Sequence, residues 1–332
     1  MRTFGHRLSA LVLLAGLLTG GCASTMGGRG GATPSARPSD LVLTIRMGDG
    51  KGDPVVRVRL EDYVYGVVMG ESWVPNEVPD VQYEMLKLQA LLARAYAVSS
   101  LRRHAREGFH LCSTTHCQLF RPPKQDSAVA RLARRAVSET AGRVIVDRRS
   151  GQPVQTLFHA SCGGHTSAAE TVWGGAGAPN LRPVEDRFCT REAHADWQFA
   201  IDRARLSEAF NRGPTTRVGG TVKDVKVVRR DAGGRAQVIR LSGSRTIDVR
   251  GEDFRAALTR AFGVRTIKST RLEVARRGDT FTFHGAGFGH GVGLCQAGAL
   301  VQARQGRSAD DIIQFYFAQA RIESSPRVLL AN

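Results

Sequence analysis

The chain has 332 residues, of which 42% are hydrophobic, and this apolar content excludes a wholly disordered protein. It carries 47 Lys and Arg against 30 Asp and Glu, and the formal net charge of +17 indicates a polyanionic partner, either a nucleic acid or an anionic cell envelope. After the N-terminus no apolar run approaches the roughly 20 residues of a membrane span, and no fixed-period repeat indicates a solenoid.

Residues 1–22 are typical of a lipoprotein-type signal peptide. Arg2 and Arg7 form a positively charged start, and Leu8 to Leu18 is a short apolar segment. Small residues then lead to Cys22, which we expect to carry a lipid that anchors the protein to a membrane. The prediction is an exported protein of the cell envelope, in the periplasm or on the outer face of the membrane, with plain secretion as the alternative. Export argues against nucleic acid as a partner.

The next segments alternate between strand and helix patterns. Residues 23–40 are rich in Gly, Ser, Thr and Pro, which predicts a flexible tether. Strands are expected over 41–60, followed by a helix over 60–71 and a long amphipathic helix over 81–106. Further helices are expected over 128–140, 205–211, 251–262 and 291–304, with strands at 144–146, 154–159, 222–249 and 270–283. A last helix begins at Ser308, with Asp311 placed for a capping box.

This order predicts an α+β fold of mixed helices and antiparallel strands. The strongest chemical motifs lie on both sides of residues 196–269, so we predict that this segment is a smaller, inserted β-rich lobe.

Glu71 ends the apolar stripe of the helix over 60–71. A carboxyl group at the rim of a core has a raised pKa, because burial disfavours its charged form. A protonated carboxylic acid is what glycosidic-bond cleavage requires as general acid. The alternative is a structural Glu that forms an ion pair with an arginine such as Arg94.

Five cysteines remain besides Cys22, and an odd number cannot be closed by disulfides within one chain. Cys112, His116 and Cys117 lie within six residues, and three such donors can converge on Zn²⁺, with His104 or His110 as an additional ligand. A disulfide between Cys112 and Cys117 is the alternative.

Two glycine-rich motifs follow. In the first, Cys162 precedes Gly163 and Gly164. Cys162 and His165 are candidates for a nucleophile with its base, or for two metal ligands. A third possibility is a disulfide between Cys162 and Cys189. The second runs from Gly285 to Gly298 without the Lys-Ser/Thr of a phosphate loop. The second motif predicts a tight loop that leads into a helix and presents His290 and Gln296. We expect a long polymer to lie against this loop.

These motifs, in this order, resemble the SpoIID/LytB family of bacterial cell-wall proteins. The matching segments are Leu60 to Glu71, Leu88 to Ala97, Cys117 to Phe120, Ser161 to Thr166 with Glu170 and Trp173, and Gly287 to Gln296. The resemblance implies a SpoIID-like domain over 41–323 and leaves 324–332 as a tail. Cys295 departs from it, standing where the family usually has Ser.

The resemblance implies a peptidoglycan lytic transglycosylase. In that family the Glu that matches Glu71 is the catalytic acid and base. It cleaves the bond between MurNAc and GlcNAc and leaves a 1,6-anhydroMurNAc end. Members of that family also bind zinc, and the resemblance places ligands at His116 and Cys117, so that with Cys112 the predicted metal ligands are Cys112, His116 and Cys117. It also implies substrate contacts along the glycan strand. The implied substrate-binding residues are Arg94, Gln118, Gly163, Gly164, Thr166, His290 and Gln296.

Two other functions remain open from the sequence. Some family members are non-catalytic modules that bind peptidoglycan and stimulate a cell-wall amidase, which would make that amidase a partner. A thiol enzyme using Cys162 with His165 is the third interpretation.

Overall fold

The computed structural model describes residues 35–37, 40–72, 77–122, 127–189, 196–324 and 328–329. The predicted signal peptide, the lipidation site Cys22 and most of the tether lie outside the described residues. The prediction of an α+β fold with mixed helices and antiparallel strands is confirmed. None of the helices in these ranges combines the length and apolar character that crossing a membrane requires.

Eight α-helices lie in the described residues, and a 3-10 helix spans Ala105–Glu107. The α-helices are α1 (Leu60–Glu71), α2 (Pro79–Ser99), α3 (Ala128–Glu139), α4 (Ala169–Trp173), α5 (Arg203–Arg212), α6 (Gly251–Phe262), α7 (Gln296–Arg304) and α8 (Ala309–Tyr316). Helix α2 ends earlier than the predicted 106, and α7 begins at Gln296 rather than at 291. Ser308 and Asp311 form the predicted capping box of α8.

The strands are short and form several small sheets. They are β1 (Ser35–Ala36), β2 (Val42–Arg46), β3 (Val55–Arg59), β4 (Leu111–Cys112), β5 (Arg143–Asp147), β6 (Phe158–His159), β7 (Trp197–Asp202), β8 (Asp224–Arg230), β9 (Ala236–Ser242), β10 (Thr246–Arg250), β11 (Leu272–Arg277), β12 (Thr280–Gly285), β13 (Leu294–Cys295), β14 (Ala320–Ser324) and β15 (Val328–Leu329). The pairs β2–β4 and β6–β13 are parallel, and the other described pairs are antiparallel.

A first hydrophobic core surrounds α2. The helix packs against α1, α3, α7, α8 and β5, and almost every side chain from Leu88 to Val98 is buried. A helix that is buried on nearly all sides needs an apolar sequence all around, which explains its run of Leu and Ala. This core fixes the ends of α1 and α7, where Glu71 and Gln296 lie.

A second hydrophobic core extends from Trp197 to Phe283. It contains β7–β12, α5 and α6. Strand β12 pairs with β7 on one side and with β11 on the other, so the hairpin predicted over 270–283 belongs to this core. The second core is therefore wider than the predicted lobe over 196–269.

Parts of the predicted tether and tail are paired with each other. Strand β1 lies in the segment predicted as a flexible tether, and β15 lies in the predicted tail. The two form an antiparallel pair, with Ser35 opposite Leu329.

Candidate functional site

A groove of about 810 Å³ lies among the ends of several elements of the first core. The end of α1, the loop after β4, strand β6 with the residues before it, and the start of α7 meet there. Its lining comprises Glu71, Tyr96, Arg103, Thr115, His116, Cys117, Gln118, Gln155, Thr156, Leu157, Phe158, His159, Ala160, Trp173, Phe288, Gly289, His290 and Gln296. Among these described lining residues, Glu71 is the one carboxylate.

Glu71 is the last residue of α1, and its carboxylate is half-buried. Its Oε1 accepts a hydrogen bond from the backbone N–H of Leu119 at 2.6 Å. Burial raises the pKa of Glu71 above its ordinary value, while that hydrogen bond and the charge of Arg121 act in the opposite direction. The group is thus poised to carry a proton at a higher pH than an exposed Glu does.

The hydrogen bond to Glu71 depends on a glycine one residue earlier. A Cβ on Gly70 would lie 2.0 Å from the carbonyl oxygen of Leu119, so only glycine lets this segment pack directly on the helix. The close approach brings the Leu119 N–H to the carboxylate of the next residue.

Gln118 offers an unused donor to the groove. The Tyr63 hydroxyl donates a hydrogen bond to its Oε1 at 3.2 Å, which fixes the amide's orientation. Its Nε2 is buried and has no hydrogen-bond partner in the described part of the chain. A buried donor left without a partner costs free energy, so a ligand that accepts a hydrogen bond there is favoured.

His159, His290 and Trp173 form an aromatic part of the groove lining. The rings of His290 and Trp173 are 5.1 Å apart, and those of His159 and His290 are 5.5 Å apart. Burial lowers the pKa of His290 to about 3 and that of His159 well below its ordinary value, so both rings are neutral. With Gln296, also in the lining, they present an uncharged surface to a ligand.

A cluster of nitrogen and sulfur donors lies at one end of the groove. Possible ligand atoms of His104, Cys112, His116 and Cys117 all lie within 4.8 Å of one another. The Nε2 of His104 is 3.3 Å from the Sγ of Cys117, and the Nδ1 of His116 is 3.6 Å from the Sγ of Cys112. The structure thus brings together the three predicted metal ligands.

The donor set fits a four-coordinate zinc ion, which prefers two Cys and two His in such sites. Of the two additional ligands considered, the structure places His104 in the cluster, whereas the Nδ1 of His110 accepts the backbone N–H of Thr44 at 3.0 Å. The other ring nitrogen of His104 is 2.5 Å from a carboxylate oxygen of Glu107. A carboxylate behind a histidine is the usual support of a metal-binding imidazole.

Arg94, which the resemblance implied as a substrate-binding residue, lies inside the first core and outside the groove lining. Its side chain is 0% exposed and forms a bidentate ion pair with Glu61, at 2.9 and 2.6 Å. It also donates to the backbone carbonyl of Arg143 at 3.3 Å. The alternative in which Arg94 pairs with Glu71 is therefore wrong. Glu71 keeps its raised pKa.

Gly163, Gly164 and Thr166, also implied as substrate-binding residues, lie outside the groove lining. Thr166 is buried and its hydroxyl oxygen accepts the backbone N–H of Val184 at 2.7 Å. The carbonyl of Gly163 accepts a hydrogen bond from Arg271, which comes from the second core. Gly163 thus connects the first core to the second.

Cys162 and His165 do not form a nucleophile and base. Cys162 is fully buried, and its thiol donates a hydrogen bond to the carboxylate of Asp186 at 3.3 Å. The Nδ1 of His165 contacts the carbonyl of Thr166 at 2.6 Å. A thiol enzyme needs an accessible sulfur beside its base, and this pair offers neither.

Sequence reasoning assigned no role to most of the lining residues, among them Tyr96, Gln155 and His159. Tyr96 and Trp173 lie within matching segments and His159 lies two residues before one, but no local pattern shows that they share a surface with Glu71. Tyr96 lies on α2, where its aromatic ring continues the apolar stripe and is indistinguishable from a core residue.

Comparisons with known proteins agree with these motifs. A family model described as stage II sporulation protein (SpoIID) matches residues 49–146, and one for a domain of unknown function (DUF8618) matches residues 190–293. An uncharacterized protein of Brachyspira hyodysenteriae is 31% identical over 278 residues, which cover 82% of this chain and 69% of that protein.

Two relatives from Bacillus subtilis carry functional names. Stage II sporulation protein D is 26% identical over 288 residues, covering 83% of this chain and 77% of the relative. The protein named amidase enhancer is 24% identical over 299 residues, which are 76% of this chain but 40% of that protein.

Proposed function

This chain belongs to the SpoIID family and has its cell-wall-related role, and on that premise we propose that it is a lytic transglycosylase of peptidoglycan. The observation that carries the proposal is a single carboxylate, with a raised pKa, in a groove of about 810 Å³. The described groove lining contains no second carboxylate, whereas ordinary glycosidases use two.

In the first step the protonated Glu71 is the general acid. It donates its proton to the glycosidic oxygen between MurNAc and GlcNAc, and the bond from the MurNAc C1 to that oxygen breaks. The raised pKa supports this role, because a larger fraction of the carboxyl groups is protonated at the pH of the reaction.

In the second step the Glu71 carboxylate is the base. It accepts the proton of the C6 hydroxyl of the same MurNAc, and the C6 oxygen bonds to C1. The product is a 1,6-anhydroMurNAc end, and the proton returned to Glu71 restores the acid. Because the nucleophile belongs to the substrate, no second carboxylate is required to activate water.

The remaining lining residues would hold the glycan strand. Sugars combine hydroxyl groups with apolar ring faces, and the groove offers both kinds of contact. The Gln118 Nε2 donor and Gln296 suit the hydroxyl and amide oxygens of the strand. Trp173 and His290 offer flat faces to the sugar rings.

Product analysis tests the proposal. We expect the purified protein to release fragments with anhydro ends from isolated glycan strands, detected by mass spectrometry. The same strands in intact and in peptide-stripped form would show whether the stem peptides must be removed first. Binding to the strands without any new anhydro ends would contradict the proposal.

A second candidate function rests on the relative named amidase enhancer. In it the groove binds peptidoglycan without cleaving it, and the protein stimulates a cell-wall amidase. The discriminating result is stimulation of amidase activity that survives the change of Glu71 to Gln.

Activity is expected to fall as pH rises through the pKa of Glu71. The first step requires the protonated carboxyl group, and burial raises its pKa, so the decline begins at a higher pH than for an ordinary Glu. Above that pKa, kcat/KM should fall about tenfold per pH unit. The measurement is a pH profile of anhydro-end release, and a rate that rises through this range would contradict the assignment of Glu71 as the acid.

We further propose that His104, Cys112, His116 and Cys117 hold a zinc ion. Four protein ligands leave no open position for water, so the ion would have a structural role. It would fix the loop that leads into Leu119, whose N–H contacts Glu71. Zinc at these residues would thereby maintain the position of the acid.

Changing Cys117 to Ser is expected to remove about one zinc ion per chain, because it deletes one of four ligands. His110→Ala is the matched control, since His110 lies beside the cluster but contacts Thr44 instead. Elemental analysis of the purified variants provides the measurement. An unchanged zinc content in Cys117→Ser, or a Cys112–Cys117 disulfide, would refute the site.

Export and lipid anchoring are proposed from Arg2, Arg7 and Cys22. Changing Cys22 to Ala is expected to move the protein from the membrane fraction to the soluble fraction of cells. Retention of the variant in the membrane fraction would exclude Cys22 as the anchor.

A further inference from the structure

A second cluster of soft donors lies outside the groove lining and shares no residue with the first donor cluster. Cys162, Cys189, Cys295 and Asp186 are each 0% exposed, and ligand atoms from all four lie within 4.8 Å of one another. They come from three separate segments: the loop after β6, the turn before residue 190, and β13. Chain segments that are far apart in sequence thus place three sulfurs and a carboxylate around one point.

The sulfurs are surrounded by backbone donors. The N–H of Cys162 donates to the Sγ of Cys295 at 3.2 Å, and the N–H of Gly164 donates to the Sγ of Cys162 at 3.3 Å. The N–H of Gly298 also points at the Sγ of Cys295, at 3.4 Å. Backbone N–H groups aimed at sulfur stabilise thiolates, the form in which cysteine binds metals.

Asp186 completes the cluster as a buried carboxylate with neutral neighbours. Its Oδ2 accepts the hydroxyl of Tyr316 at 2.7 Å, and its Oδ1 accepts the N–H of Phe188 at 3.1 Å. A buried carboxylate is costly unless a cation compensates it. Hydrogen bonds that fix a carboxylate's orientation are also the usual support of a metal-binding Asp.

The glycine at position 298 leaves room for the carboxylate of Asp186. A Cβ on Gly298 would lie 2.3 Å from the Oδ2 of Asp186 and 2.4 Å from the hydroxyl of Tyr316. Any other residue at 298 would displace the carboxylate from the sulfurs. Gly298 lies in the first turn of α7, two residues after Gln296 in the groove.

We propose that Cys162, Cys189, Cys295 and Asp186 bind a second zinc ion. Three thiolates and one carboxylate give the four ligands of a closed site, and thiolates favour zinc over the harder divalent ions. Binding releases the protons of the three thiols, because only the thiolates coordinate.

The second zinc site is structural and joins the residues behind the groove. Cys295 lies in β13, which pairs with β6, and β6 carries Phe158 and His159 of the groove lining. Cys295 also directly precedes Gln296 of the groove lining. The ion would therefore hold β13 and the start of α7 against the loop after β6. This inference concerns the fold of the groove wall and does not depend on the reaction of Glu71.

The competing arrangement is a disulfide between Cys162 and Cys189. It would leave Cys295 as a buried thiol and Asp186 as a carboxylate without a cation. Alkylation of the denatured, chelator-treated protein, followed by peptide mass spectrometry, distinguishes the two. We expect alkyl groups on Cys162, Cys189 and Cys295, and a linked peptide containing Cys162 and Cys189 would overturn the proposal.

Zinc content of the full chain is the direct test. In the Cys117→Ser variant, which lacks a ligand of the first cluster, about one zinc ion per chain should remain, and it should be lost when Cys189→Ser is added. If the double variant does not fold, the zinc content of the single Cys117→Ser variant is the test. Retention of one ion supports the second site, and a zinc content near zero overturns it.

Discussion

Changing Glu71 to Gln is expected to lower the release of anhydro ends by about 10²–10⁴-fold, the contribution that general acid–base catalysis makes in enzymes. The amide has nearly the same shape as the carboxyl group, and its oxygen is able to accept the N–H of Leu119 as Oε1 does. It has no proton to donate to the glycosidic oxygen and cannot take one from the C6 hydroxyl. The measurement is mass spectrometry of fragments released from glycan strands at a fixed time.

The loss should not come from unfolding. Burial raises the pKa of Glu71 in the folded protein, so the folded state holds the proton more tightly than the unfolded state. The free energy of unfolding therefore falls as pH rises from the unfolded pKa through the folded one, and a neutral amide removes that loss. We expect Glu71→Gln to melt no lower than the wild type at neutral pH.

Glu185→Gln is the matched control for this variant. Glu185 is 64% exposed, and it lies outside the groove lining. Its change should leave the rate unaltered. If Glu71→Gln and Glu185→Gln release anhydro ends at the same rate, Glu71 is not the catalytic group.

Changing Glu61 to Ala is expected to lower the free energy of unfolding by about 3 kcal/mol, the scale for removing one partner of a buried ion pair. Arg94 is 0% exposed, and without Glu61 its charge would be surrounded only by neutral acceptors such as the carbonyls of Val137 and Arg143. Arg94 lies on α2 and connects it to α1 through Glu61 and to α3 through the carbonyl of Val137. Urea denaturation of the two proteins provides the comparison.

Glu208→Ala is the control for an exposed pair. Glu208 forms an ion pair with Arg212 on α5, with both side chains more than half exposed. Such pairs contribute about 0–1 kcal/mol, so this variant should be nearly as stable as the wild type. Equal stabilities of Glu61→Ala and Glu208→Ala would show that the Arg94 pair is not important for folding.

The sequence was sufficient where a local pattern decides the structure. The helix over 60–71 is found with the predicted bounds, because its apolar stripe and the prolines that follow it in the sequence, Pro75 and Pro79, are local signals. The Ser308 and Asp311 capping box is local in the same way. Glu71 could be singled out because a carboxylate at the end of an apolar stripe is conspicuous without any tertiary information.

The sequence was insufficient for residues whose environment is set by tertiary packing. Arg94 has the charge of a substrate-binding residue, but Glu61, 33 positions away, pairs with it inside the core. Gly163 has the appearance of a ligand loop, yet its carbonyl accepts a hydrogen bond from Arg271 of the second core. The extent of that core also depends on β12 pairing with the distant β7. None of these partners is visible in a local pattern.

Cysteine usage illustrates the same limit. The sequence could show that five cysteines cannot all pair, but not that they separate into two groups. The structure places Cys112 and Cys117 with His104 and His116, and Cys162, Cys189 and Cys295 with Asp186. Asp186 had no motif to mark it, and only the fold brings it to the sulfurs.

The central claim is that the Glu71 carboxyl group cleaves the glycan strand without adding water. Digestion of glycan strands in water enriched in heavy oxygen tests it most directly, with mass spectrometry of the new ends. The account predicts anhydro ends that carry no heavy oxygen and that disappear in Glu71→Gln. Reducing ends that carry the heavy isotope would mean hydrolysis and would contradict the account.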